Sequence, residues 1–169
     1  MQNKTVYLMV GNIGTGKSTT VAKLTKGNLD KIAVLDTDGL AMMYSANDYG
    51  PHIWTAERRN LYRTSLLKLE DLALQKGFDV IVDSTAMSRE CRKSFIDIAK
   101  NNGARIVVYL HRTPGGLERR CQEPRGQTRE LWTIVYEGFE NEFEEPSLDE
   151  GIDEIINCTR VYHNHGIKS

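Results

Sequence analysis

A chain of 169 residues has room for one ordinary domain around a single core, and too little for two. Its composition, 40% hydrophobic and 27% charged with no low-complexity run or internal repeat, is that of a soluble globular protein. A net charge of −1 excludes the strongly basic surface that grips long duplex DNA by counterion release, but not a local site for a nucleic-acid end.

In chain order, Thr5 to Val10 is an apolar, β-branched run that predicts a strand. A Gly-rich turn follows, then a helix from about Lys17 to Lys26, and Ile32 to Leu35 predicts a second strand. Tyr62, Leu66, Leu69 and Ala73 are spaced to form one face of a long helix that Gly77 is placed to end. Phe78 to Val82 predicts the third strand. Ser88 can cap the next helix, with Cys91, Phe95, Ile98 and Ala99 as its expected buried face and Gly103 as its stop. Arg105 to Leu110 predicts a fourth strand. A short helix, an Arg-rich loop and a helix around Leu131 to Phe139 come next, and Ile152 to Cys158 reads as an edge strand.

Short apolar strands separated by helices indicate an α/β domain, a parallel sheet covered by helices on both faces. Ligands of such sheets bind at the carboxyl ends of the strands, so residues just after each strand carry the functional reading.

After the first strand stands Gly11-Asn12-Ile13-Gly14-Thr15-Gly16-Lys17-Ser18, a full match to GxxxxGK[ST]. Such a loop turns successive N–H groups toward phosphate oxygens, and the following helix adds the positive end of its dipole. Lys17 is expected to bridge the β- and γ-phosphates of ATP and Ser18 to ligate Mg²⁺, with Thr19 completing the nucleotide-binding segment.

After the second strand comes Asp36-Thr37-Asp38. A carboxylate here would face the γ-phosphate from the acceptor side, which makes Asp38 the candidate general base and places Asp36 nearer the metal-water shell. The same residues also suit a turn that caps a following helix. Asp83 ends the third strand and is a second candidate at the metal, or a group that orients a neighbour. Arg119, Arg120, Arg125 and Arg129 surround Pro124 and Gly126; planar guanidinium forks suit a lid over a transferring phosphoryl group, with Arg125 and then Arg120 as candidates. Between Asp38 and the long helix lie Tyr44, Tyr49, His52 and Trp54, then Arg58, Arg59 and Arg63. These suit either stacking on a single-stranded end or packing beneath a solvated helix.

This ordered set resembles the kinase domain of polynucleotide 5′-hydroxyl kinases of bacteriophage and eukaryotic type. The resemblance runs through the P-loop, the segment ending in Asp38, the Asp83-Ser84-Thr85 turn, Arg125-Gly126, and Tyr136 to Gly151. It implies a P-loop kinase fold with an Arg-bearing lid, ATP and Mg²⁺ as cofactors, Asp38 as base, and Arg125 in the lid. It also implies a nucleic-acid acceptor, DNA or RNA. Where that family usually has Asn-Arg-Asp this chain has Asp36-Thr37-Asp38, and Ala41 and Thr85 also depart from phage members. All three departures fall on the acceptor side.

The function expected is therefore ATP-dependent transfer to a hydroxyl of a nucleic acid, most simply a 5′-hydroxyl. A hydroxymethylated base in DNA and a nucleoside or sugar are the alternative acceptors. A GTPase switch would need an Asn-Lys-x-Asp segment, which the chain lacks. A pure nucleotide-binding module would have little use for Asp38 together with lid arginines.

No signal peptide is expected, since the first apolar run stops at Gly11, and no stretch is long enough to cross a membrane. Cys91, Cys121 and Cys158 are odd in number and lack a CxxC spacing, as befits reduced thiols of a cytoplasmic protein. His163 and His165, without further clustered ligands, read as a solvated tail. Nothing indicates an obligatory protein partner.

Overall fold

The strand runs all form, and they assemble into one parallel sheet. A computed structural model describes residues 4–159. The strands are β1 (Thr5–Gly11), β2 (Ile32–Asp36), β3 (Asp79–Asp83), β4 (Arg105–His111) and β5 (Glu154–Asn157). They lie in the order β2-β3-β1-β4-β5, with every pairing parallel and β5 at an edge, as expected. Helices α1 (Lys17–Thr25), α2 (Thr37–Tyr44), α3 (Ala56–Gln75), α4 (Arg89–Asn101), α5 (Gly116–Gln122) and α6 (Arg129–Glu142) connect them. Short 3₁₀ turns lie at Pro51–Trp54 and Leu148–Glu150.

Central β1 sends alternate side chains to opposite faces. Val6, Leu8 and Val10 join the main core with Val80, Val82, Ile106 and Val108 and the buried sides of α3 and α4. Met9 faces the other way, where Val21 and Leu24 of α1 close a smaller cluster with Ile81, Tyr7 and Tyr109. Register brings the strand ends to one edge: Gly11 lies beside His111, and Asp36 beside Asp83.

The helix caps follow the sequence reading. Ser88 Oγ accepts from the Cys91 N–H at 3.2 Å, and Gly77 and Gly103 take left-handed conformations just beyond α3 and α4. The buried faces differ from expectation. On α3 the buried stripe is Tyr62, Leu66, Glu70 and Leu74, while Leu69 is exposed and Ala73 half-buried. On α4 Arg92 and Ile96 are buried, while Cys91 and Ile98 are only half-covered.

In both helices a charged residue occupies an inward position that hydrophobic periodicity cannot assign to it. Arg92 is tolerated there because Nε and Nη2 each meet a Glu150 carboxylate oxygen at 2.8 Å, while Nη1 donates to the carbonyls of Ala86 and Met87. Glu70 makes no hydrogen bond, and burial raises its carboxyl pKa to about 9, with Asp71 adding to the shift. It therefore sits in the core as a neutral acid.

The segment from Glu144 to Glu150 wraps over the start of α4. The Glu144 N–H donates to the Met87 carbonyl at 3.0 Å, and Glu144 Oε2 accepts from the Arg89 N–H at 2.6 Å. His163 and His165 lie outside the described residues. None of the three cysteines takes part in a disulfide, and all three are half-buried. Among the described residues no helix is long and apolar enough to cross a membrane.

Candidate active site

The loop between β1 and α1 is held by its own side chains and by two later helices. Gly11 donates its N–H to the Thr85 carbonyl at 3.0 Å. A Cβ at Gly11 would collide with the His111 carbonyl, and one at Gly14 with the Gly116 carbonyl. These two glycines permit close approach of β4 and α5. Gly16, at φ 99° with open space around it, serves instead to turn the chain into α1.

Asn12 is fully buried, and its side chain is a clamp. Oδ1 accepts from the Ile13 N–H at 2.7 Å, while Nδ2 donates to the Tyr136 carbonyl at 2.9 Å and to Glu140 Oε1 at 2.8 Å. Glu140 is in turn gripped by both Nη atoms of Arg112, at 3.0 and 2.8 Å, with that guanidinium 4.0 Å above the Phe143 ring. Thr15 Oγ1 and Lys17 Nζ both donate to the Asn12 carbonyl, at 2.7 and 2.8 Å. Burial, opposed by Asp83 and Asp38 and assisted by Arg120, leaves the Lys17 pKa lowered to about 8. Anionic phosphates at this site would hold the proton on Lys17. Ser18 and Thr19, in the first turn of α1, are exposed and line a cleft of about 650 Å³ with Lys17, Arg119, Arg120 and Arg125.

The carboxylates converge on the mouth of this loop. Asp83 Oδ2 lies 3.4 Å from Ser18 Oγ, which donates to it. Burial raises the Asp83 pKa, opposed by Lys17 and assisted by Asp36 and Asp38. Asp36 caps α2, accepting from the Asp38 N–H at 3.0 Å; burial and then Asp38 raise its pKa, while the Asp38 and Gly39 N–H groups lower it. The capping turn that the sequence allowed therefore does form. It fixes Asp38 in the first turn of α2, within electrostatic reach of Lys17. Thr37 Oγ1 donates to the Asp83 carbonyl at 3.3 Å and ties α2 to β3.

Of the four arginines near Pro124, two enter this constellation. Arg125 Nη1 donates to Asp38 Oδ2 at 2.5 Å. Arg120 lies against the Trp132 ring at 5.2 Å; burial, then Arg125, lower its pKa. Arg119 has a different part, donating from Nε to the Gly14 carbonyl at 2.6 Å. Arg129 pairs with Glu118 on the surface.

The acceptor-side aromatics pack on the protein. Tyr49 meets Trp54 edge-on at 6.3 Å, and Trp54 meets buried Tyr62 at 5.7 Å. Tyr44 stacks on Tyr62 at 6.0 Å, and His52 lies beside Asp48. Arg63 donates to Ser94 Oγ and to the Glu90 carbonyl. These rings pack on one another, while Tyr44 stays 41% exposed and Tyr49 and Trp54 are half-buried.

The sequence reading missed three features: Glu140 and Arg112 behind Asn12, Arg119 against Gly14, and Tyr49 against Arg125. Each pair is far apart in sequence, and only the Glu140–Arg112 opposition of charge offered any signal.

The donor set suits Mg²⁺. Ser18 and Asp83 offer hard oxygen donors side by side, and among the described residues no three His, Cys, Asp or Glu side chains form a metal cage. Mg²⁺ commonly takes one or two protein oxygens, with phosphate and water completing its shell.

The sequence profile described as an AAA domain matches residues 6–146. The chain belongs to the AAA-domain family. No curated protein sequence matches it significantly. Among solved structures, a candidate kinase from Chloroflexus aurantiacus superposes with a TM-score of 0.71 at 16% identity, covering 94% of this chain and 86% of that one. A fungal RNA kinase gives 0.68 at 14% identity, covering 100% and 81%. The Mycobacterium tuberculosis APS kinase in complex with AMPPNP and APS gives 0.64 at 19% identity, covering 94% and 91%. The chain spans 60% of a further match, from the PezAT toxin–antitoxin system of Streptococcus pneumoniae. At these identities the likeness establishes the fold, a kinase-like P-loop domain.

Proposed function

We propose that this protein transfers the γ-phosphate of ATP to a hydroxyl group of a nucleic acid, most simply the 5′-hydroxyl of a DNA or RNA end. The observation that carries the phosphotransfer reading is the placement of Asp38. Helix α2 holds its carboxylate within electrostatic reach of Lys17, and Arg125 reaches it from the segment that follows α5.

In this reading Lys17 and the N–H groups of Gly14 to Ser18 hold the β- and γ-phosphates. Ser18, Asp83 and, through water, Asp36 would hold Mg²⁺, which supplies charge neutralisation on the phosphate oxygens. Asp38 accepts the proton of the attacking hydroxyl as its oxygen bonds to the γ-phosphorus and the bond to the β-phosphate oxygen breaks. Arg125 leaves Asp38 for the phosphoryl oxygens, with Arg120 behind it. ADP and a phosphate monoester are the products.

The nucleic-acid acceptor is supported by the likeness to the fungal RNA kinase across the full chain, and by the sequence resemblance to polynucleotide kinases. A second reading, a small-molecule hydroxyl, is favoured by the packing of Tyr49 and Trp54 into the protein, which leaves fewer ring faces for bases. The test is transfer from γ-labelled ATP to four acceptors in parallel: a 5′-hydroxyl oligonucleotide, a 5′-phosphorylated duplex containing 5-hydroxymethyluracil, nucleosides, and sugars. Label on the oligonucleotide is expected. Label only on the modified duplex, or only on small molecules, would overturn the end-kinase reading and keep the kinase. No transfer to any acceptor, with ATP bound, would overturn both.

A further inference from the structure

Arg125 bridges to Asp38 from a strained position. Its φ is 49°, a left-handed conformation unfavourable for a residue with a Cβ, and neighbouring Gly126 is also left-handed at φ 74°. The Arg125 and Asp38 side chains are 43% and 42% exposed, and an ion pair this open to water contributes little. Something further must hold the guanidinium.

The second contact is the Tyr49 ring, whose centroid lies 5.8 Å from the Arg125 guanidinium carbon. The ring is itself well fixed. Tyr49 packs edge-on against Trp54, Trp54 against Tyr62, and buried Tyr62 donates its hydroxyl to the Ile53 carbonyl at 2.8 Å. Two more left-handed non-glycine residues, Ala46 and Asn47 at φ 52° and 65°, turn the chain between α2 and Tyr49. A rigid column of rings thus runs from the main core to the guanidinium.

We propose that Tyr49 is a positioning residue for phosphoryl transfer, holding Arg125 where its guanidinium meets both Asp38 and the P-loop cleft. The inference rests on the kinase reading for its kinetic consequence, though not for its structural one. It makes the loop between α2 and α3 one mechanical unit with the segment between α5 and α6. A tyrosine that the sequence offered as a base-stacking candidate instead orders the lid arginine.

The test pairs kinetics with proteolysis. Tyr49→Leu removes the π-face and is expected to lower kcat about three- to fivefold, the scale of a cation–π contact at an exposed site, with the Kd for ATP unchanged. Tyr49→Phe keeps the ring and should recover most of the rate that Tyr49→Leu loses. In an Arg125→Ala background, Tyr49→Leu should have no further effect, since its influence passes through the guanidinium. An undiminished effect in that background would overturn the proposal, as would a Tyr49→Leu enzyme with wild-type kcat. Limited trypsin digestion needs no activity: without nucleotide, cleavage after Arg125 should accelerate several-fold in Tyr49→Leu but not in Tyr49→Phe, with other sites unchanged. Equal cleavage in all three proteins would overturn the coupling. Selective acceleration in a protein that phosphorylates nothing would sustain the coupling and sink the kinase reading.

Discussion

The floor and the rim of the cleft are built on different principles. In the floor, Asn12 and Thr15 are buried, the Asn12 side chain and carbonyl are each used more than once, and the hydrogen bonds reach α6, α5 and the turn after β3. At the rim, Asp38 and Arg125 meet in water, on segments carrying left-handed residues with side chains, and are backed by aromatic packing. The floor is organised before any ligand arrives, as a phosphate cradle must be. The rim is a contact that can be exchanged, as suits groups that release one another when the phosphoryl group moves.

That contrast sets the order of expected effects. Lys17→Ala should reduce turnover to below roughly a thousandth of wild type while circular dichroism stays unchanged, because a preorganised charge is removed from a wired loop. Substantial residual transfer would break the assignment of the floor. Asp38→Asn should lower kcat by roughly 10²–10⁴-fold with little change in ATP affinity. If the loss appeared mainly in ATP·Mg²⁺ binding, Asp38 would belong with Asp83 and the metal rather than with the rim. Arg125→Lys keeps the charge but loses the planar fork, and about a 10- to 100-fold drop is expected, the worth of one charge-assisted hydrogen bond. An undiminished rate would move the lid role to Arg120.

Glu70 sharpens the contrast from outside the cleft, as a buried polar side chain with no hydrogen bond. Its folded pKa of about 9 lies above the ordinary value of 4.5. Below 4.5 both folded and unfolded chains hold the proton and stability is whole; between 4.5 and 9 only the folded chain holds it, so stability falls as pH rises. The slope is at most about 1.4 kcal/mol per pH unit. Denaturant titrations from pH 5 to pH 8 should show this decline in wild type and a flatter profile in Glu70→Gln. Parallel profiles would mean that Glu70 ionises freely in the fold.

Most of the fold was legible before any coordinates. All five strands were readable because a sheet covered on both sides demands continuous apolar runs, and helix stops were marked by glycine at Gly77 and Gly103. Helix α2 was anticipated only through its Asp36 cap and given no extent, because eight residues containing Gly39 carry no periodic signal. The buried stripes of α3 and α4 were misjudged where a charged residue points inward. Arg92 is admitted by Glu150, 58 positions later, and no local pattern encodes such a partner.

The same division holds at the site. The P-loop and the carboxylates after β2 and β3 declare themselves in sequence, because phosphate binding needs glycines, a lysine and a hydroxyl at fixed spacing, and strand ends are where parallel sheets bind ligands. What those residues touch was decided by the tertiary structure alone. Asn12 meets Glu140 across 128 positions, and Asp38 meets Arg125 across 87. Spacing along a chain records the geometry of one turn or one strand; it holds no record of which distant side chain folding brings within hydrogen-bond distance.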